Sequence, residues 1–195
     1  MKAFPRWFHP AVACAGLLLA LPMDSATAAA DLSLLSDFGR PDIPASTLGI
    51  DIGSGPGNVA GIYQEGTANT ARIEQTGSSS NAEVWQIGSN NSAEIFQRGN
   101  DNELRLSQDF SSQRAHLSQD GIANQMAIQQ LGVAAEVSSS QVGEGNQLVL
   151  QQQANSQFTS TQTGNHNQMV VDLPAGMLLR VEQVGNGLRF SFYPD

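Results

Sequence analysis

Glutamine returns every eleven residues along most of this chain. Gln64, Gln75, Gln86, Gln97, Gln108, Gln119, Gln130, Gln141 and Gln152 follow one another without a slip. Glycine stands two residues later at Gly66, Gly77, Gly88, Gly99, Gly121, Gly132 and Gly143, and Phe110 and Ala154 replace it in two copies. Six residues ahead of each glutamine is a leading position. It holds Asn58, Asn69, Ser80, Asn91, Asn102, Gln113, Asn124 and Asn146, with Ala135 as the exception. One residue is then lost, and Ser156, Phe158, Ser160, Gln162 and Gly164 carry the pattern on. The unit reads N-x-A-x-I-x-Q-x-G. A fixed period of this kind is the mark of a repeat architecture.

The marked positions alternate, so within one unit they share a face of a β-strand. The central pair is small or apolar, as in Ala60/Ile62, Ala71/Ile73, Ala82/Val84, Ala93/Ile95, Leu104/Leu106 and Ala115/Leu117. A helix would need spacings of three and four and would suffer from the recurrent glycine. The Gly and Asn between strands suit turns with positive φ. Each unit is therefore a strand plus a turn, and one such strand buries no core by itself. Stacked strands do. If successive strands alternate between two sheets, one coil of the chain takes 22 residues. Charges test that spacing: Arg72 then meets Glu94, Glu83 meets Arg105, Arg98 meets Asp120 and Arg114 meets Glu136. At a spacing of eleven, Glu83 would face Glu94 and Asp109 would face Asp120, which is unfavourable. Tyr63 and Trp85 also fall 22 apart and are expected to stack. The predicted fold is all-β: a β-solenoid of two-strand rungs, 22 residues per rung, able to extend as amyloid-forming cross-β.

Inside such a solenoid the amides form ladders. A buried amide needs partners for its C=O and its NH₂, and an identical amide about 4.8 Å away on the next rung supplies them. The expected ladder and self-assembly residues are Asn58, Asn69, Asn91, Asn102, Asn124 and Asn146, the nine glutamines above, Gln162 and Gln183. The expected turn glycines are the seven above and Gly164. After Gly164 the pattern decays. Leu173 stands where glutamine is due, followed by Pro174 and Gly176. Met177, Leu179, Val181, Gln183 and Gly185 recover the frame, and Leu188, Phe190 and Phe192 form a last apolar alternation with Arg180 and Arg189 on outward positions.

The ends complete the organisation. Lys2 and Arg6, an apolar run over 11–21 and the small residues Ala26, Ala28 and Ala30 read as a secretory signal over 1–30, cut after Ala28 or Ala30. A leader over 31–57, regular repeats over 58–164 and degenerate repeats over 165–195 follow. The only cysteine, Cys14, lies in the signal, so no disulfide staples the mature chain. The net charge is −9 and the only lysine is Lys2, a poor composition for binding nucleic-acid backbones. Acidic residues fall singly on outward positions, as solubilising gatekeepers do.

An enzyme on a β-helix needs convergent acids, bases or metal ligands in a cleft. Beyond the signal only His116 and His166 occur. His116 faces outward, placed to pair with Glu94, and His166 falls in a turn. No nucleophile elbow, P-loop, zinc or calcium motif is present, so no catalytic residue, metal or cofactor is expected. An ice- or carbohydrate-binding solenoid would repeat one residue type down an outer stripe. Here Arg72, Glu94 and His116 share one line, and Glu83, Arg105 and Ala127 share another.

The unit resembles the curlin repeat: a Gln and an Asn or Ser flanking small and aliphatic residues, with Gly in the turn. The resemblance covers Asn58 to Gly164 and continues more weakly to Asp195. It implies a solenoid of two facing sheets that assembles into extracellular curli fibres on the bacterial outer surface, with self and homologous curlin subunits as partners. It also implies that the leader addresses the chain to the curli outer-membrane secretion pore and its accessory proteins. The divergent basic-and-apolar C-terminal repeats resemble the minor, nucleating subunit. The alternatives are the major fibre subunit or a non-amyloid β-solenoid adhesin.

Overall fold

The alternation of small, aliphatic and amide residues is realised as fifteen β-strands in a computed structural model that describes residues 29–30, 47–52 and 56–194. The expected signal segment and leader, Cys14 included, otherwise lie outside the described residues. In chain order the strands are β1 (Ala29–Ala30), β2 (Thr47–Ile52), β3 (Val59–Thr67), β4 (Thr70–Ser78), β5 (Asn81–Ser89), β6 (Ser92–Asn100), β7 (Glu103–Asp109) and β8 (Arg114–Ile122). They continue as β9 (Gln125–Leu131), β10 (Glu136–Glu144), β11 (Gln147–Gln152), β12 (Gln157–Thr163), β13 (Gln168–Leu173), β14 (Leu178–Val184) and β15 (Arg189–Phe192). Even-numbered strands from β2 to β14 form one sheet, with β1 beyond β2, and odd-numbered strands from β3 to β15 form the other. Each strand pairs with the one two places on, so the chain crosses from sheet to sheet and back once per rung.

All pairs are parallel except β1 with β2. The register follows the sequence period. Arg72 is opposite Glu94 and Gln108 is opposite Gln130, both 22 apart. Pairs that span the lost residue shorten to 21, as in Glu136 opposite Gln157. A second loss, between β13 and β14, keeps the following pairs at 21: Gln157 lies opposite Leu178 and Gln168 opposite Arg189. Both losses fall at corners, so the inward face never changes side. A one-residue slip within a strand would turn every core residue outward.

The core lies between the sheets. Ala71, Ala93, Ala115, Val137 and Phe158 form one buried column, and Ile73, Ile95, Leu117, Ser139 and Ser160 form the next. Where the first column grows to Val137 and Phe158, the second shrinks to serine. The two serine hydroxyls hydrogen-bond each other at 2.7 Å. Volume is thus conserved within a rung, as a close-packed interior requires. The facing sheet contributes Val84, Leu104, Leu106, Met126, Ile128, Leu148 and Leu150. Each fully buried aliphatic side chain is worth about 1.5–3 kcal/mol.

The corners differ from expectation in one respect. Positive φ is found at the glycine (φ 117° at Gly77) and again two residues later, at Ala68, Ser79, Asn90, Asp101 and Ser112. The leading asparagine is not the positive-φ residue. It follows that residue and turns inward, fully buried at Asn69 and Asn124. The corner therefore reads glycine, any residue, left-handed residue, inward amide.

Candidate self-assembly site

The glutamines stand in two continuous ladders. In the even-numbered sheet Gln75 Nε2 donates to Gln97 Oε1 at 2.7 Å. The series continues through Gln119, Gln141, Gln162 and Gln183 at 2.8–2.9 Å. In the odd-numbered sheet Gln64, Gln86, Gln108, Gln130 and Gln152 are linked over 2.6–3.2 Å. Every bond runs in the same direction, donor toward the C-terminal neighbour. From Gln75 on, each amide also donates an N–H to the facing strand: Gln97 to Asn81 O at 3.1 Å and Gln119 to Glu103 O at 3.1 Å. Each glutamine thus holds its own sheet together and ties it to the other. That is why an amide, rather than leucine, serves at a position that is buried from Gln75 to Gln183.

The asparagines are satisfied differently. Asn69 Nδ2 donates to Gly88 O at 3.0 Å, and Asn69 Oδ1 accepts from the backbone N–H of Asn91 at 3.0 Å. Asn58, Asn91, Asn102, Asn124 and Asn146 make the same pair of contacts with the next rung's backbone. Direct amide–amide bonds occur only from Asn124 to Asn102 and from Asn146 to Asn124 among the described contacts. The shorter side chain sits at a corner, where carbonyls are not used by the strand ladder, and it meets those first.

The glycines are required by the same contact. A Cβ on Gly77 would lie 2.0 Å from Gly99 O, and one on Gly121 would lie 2.0 Å from Gly143 O. Gly66, Gly88, Gly99, Gly143 and Gly164 face the next rung's carbonyl in the same way, while Gly132 faces Ala154. Phe110 nevertheless adopts φ 142° at the glycine position, its side chain half exposed.

Two further residues belong to the ladders. Asn167 is fully buried, accepts from Leu188 N at 3.0 Å and donates to Gly185 O at 2.8 Å. It stands eleven residues after Ser156, so the period points to it although the surrounding motif is weak. Gln113 sits in an asparagine column and reaches too far. Its Nε2 bonds Gln130 O and Gly132 O, and its buried Oε1 has no partner.

On the outside, Arg72 meets Glu94 at 3.4 Å, Arg105 meets Glu83 at 3.5 Å and Arg98 meets Asp120 at 3.9 Å. His116 Nδ1 lies 3.1 Å from Glu94 Oε2, and the Tyr63 and Trp85 rings are 5.3 Å apart. Arg114 and Glu136 are opposite in register. Among the described residues no group of three or more His, Cys, Asp or Glu is placed to hold a metal, and no helix is long and apolar enough to cross a membrane.

This geometry defines a class: a two-sheet β-solenoid repeat protein whose interior is stitched by directional amide ladders. Residues 55–88, 66–99 and 99–132 match the family model of the curlin associated repeat. The likeness to the curlin associated repeat thus covers residues 55–132 of the 195. Neither a curated relative nor a solved structure matches the chain.

Proposed function

We propose that this chain is a subunit of extracellular amyloid fibres of the curli type, and that it is the minor subunit, the one that nucleates polymerisation of the major curlin at the cell surface. The observation that carries fibre assembly is the direction of the glutamine ladders. Gln64 begins its series with an Oε1 that receives no donor from a described rung, and Gln183, whose Nε2 bonds Gln168 O across the core, ends the other with no further glutamine to donate to. A strand edge of this kind extends by adding more of the same.

The nucleating role is supported by the asymmetry of the C-terminal rungs. In the odd-numbered sheet the ladder stops at Gln152, because Leu173 lies opposite it. Beyond that point Phe190 and Phe192 replace the small and aliphatic pair, and Leu178, Val184 and Tyr193 are exposed. A chain with a regular face at one end and an irregular one at the other grows from the regular end. The leader is proposed to address the chain to the curli secretion pore, and deletion of residues 31–57 tests that by loss of secretion. The test of nucleation is seeding. Trace amounts of the secreted protein are added to soluble major curlin, and thioflavin fluorescence is followed. A shortened lag supports the reading. No fibre from this protein alone and no seeding overturn it.

A further inference from the structure

The outer face of the odd-numbered sheet is charged except on two adjacent strands. β3, β5, β7, β13 and β15 each carry at least one charged residue, while β9 and β11 carry none. Outward they present Gln125, Ala127 and Gln129, then Gln147, Val149 and Gln151, with Val149 50% exposed. Gln125, Gln147 and Gln168 form an amide column on this outer face, joined by bonds of 3.3 Å. Ser107 and Ala127 are small, and they floor a shallow concavity of about 460 Å³ bordered by Trp85, Arg105 and Val149. Uncharged strands of amides and small residues are the composition that pairs two sheets face to face in a dry zipper. On a surface that stays solvated, a charge normally interrupts such a run.

We propose that this face docks a second copy of the same chain, packed antiparallel about β11. The occupant follows from complementarity. Turning a copy over about the line of β11 sets β11 on β11, β9 on β13 and β7 on β15, with each outward column kept in place. Val149 then faces Val149 of the second copy. Ala127, which floors the hollow, faces Val170, and Ser107 faces Tyr193, a side chain 62% exposed just past β15. At both ends of the contact Glu103 faces Arg189, which makes no ion pair of its own among the described residues. Other ways of laying face on face lose this match. With the copies parallel and in register, Arg189 faces Tyr193. Moving the axis to β9 or β13 sets it against Val59 or Gln147. Five rungs about 4.8 Å apart cover about 400 Å² per copy, about 800 Å² in all, which is below the size of a stable pair. The association is therefore weak and depends on concentration. It uses a side of the solenoid and neither end, so it stands apart from fibre growth.

Sedimentation velocity on the freshly secreted, soluble chain, from about 10 μM to about 1 mM, reads the pairing. A monomer–dimer equilibrium is expected. Val149→Arg brings two like charges together on the symmetry axis and should weaken the dimer about tenfold or more. Thr159→Arg, on the exposed face of β12 in the other sheet, should leave it unchanged. Arg189→Glu should weaken it about fivefold, and adding Glu103→Arg should recover most of that loss. Far-ultraviolet circular dichroism checks that each variant keeps its strands. A chain that stays monomeric throughout, a dimer indifferent to Val149→Arg, equal weakening by Thr159→Arg, or a charge swap that recovers nothing overturns the proposal.

Discussion

Gly77 and Gly61 show what one atom does in different places of this fold. Gly77 has φ 117° and faces the Gly99 carbonyl, whereas Gly61 lies on the outer surface with nothing within 4 Å of an added Cβ. Gly77→Ala is expected to cost about 3 kcal/mol or more through strain and loss of the close approach between rungs. Gly61→Ala is expected to leave stability unchanged or raise it by about 0.5 kcal/mol, and urea unfolding of the soluble protein measures both. Gln113 is the converse case, a residue one methylene too long. Gln113→Asn lets the side-chain oxygen accept from the backbone of the next rung, as Asn91 does for Gln113 itself at 3.0 Å. It should gain about 1 kcal/mol in the same assay. Much at this scale was legible in the sequence, because a glutamine repeated on an inward face needs another amide. The partners of the asparagines were not. Their bonds go to backbone carbonyls freed by the corner, and no periodicity of side chains reports where a carbonyl points.

Register is the property of the element, and here charge already fixed it. The pairs at 22 recur as Arg72–Glu94, Arg98–Asp120 and Glu83–Arg105, all solvent-exposed. Such pairs contribute little individually, so they select among registers rather than hold the strands together. Arg105 also meets Glu103 at 2.7 Å. Arg105→Glu places a third carboxylate beside Glu83 and Glu103, and is expected to lower stability by about 1 kcal/mol at low salt and by less in high salt, read by thermal unfolding at the two ionic strengths. The loss of a residue before Ser156 was visible because the frame resumed after it. The strand at 47–52 was not visible. Thr47–Ile52 lacks the amide and the glycine of the repeat, and only its position against β4 makes it part of the sheet.

At the scale of the whole molecule, the amide ladders make the solenoid polar along its axis. Facing sheets are joined along the stack by glutamine N–H groups that donate to the opposite backbone, so the sheets do not separate without breaking those bonds. In the proposed fibre that coupling ties the fold of one chain to the growth of many. A fibre of this kind differs from one in which identical segments of different chains lie on each other in register, since the stacking neighbours of each strand belong first to the same chain. Solid-state NMR on fibres in which labelled protein is diluted into unlabelled protein separates the two. The account predicts a contact between the backbones of Glu83 and Arg105 at about 4.8 Å that survives dilution. A contact that vanishes on dilution, with Glu83 stacked instead on Glu83 of its neighbours, would contradict it.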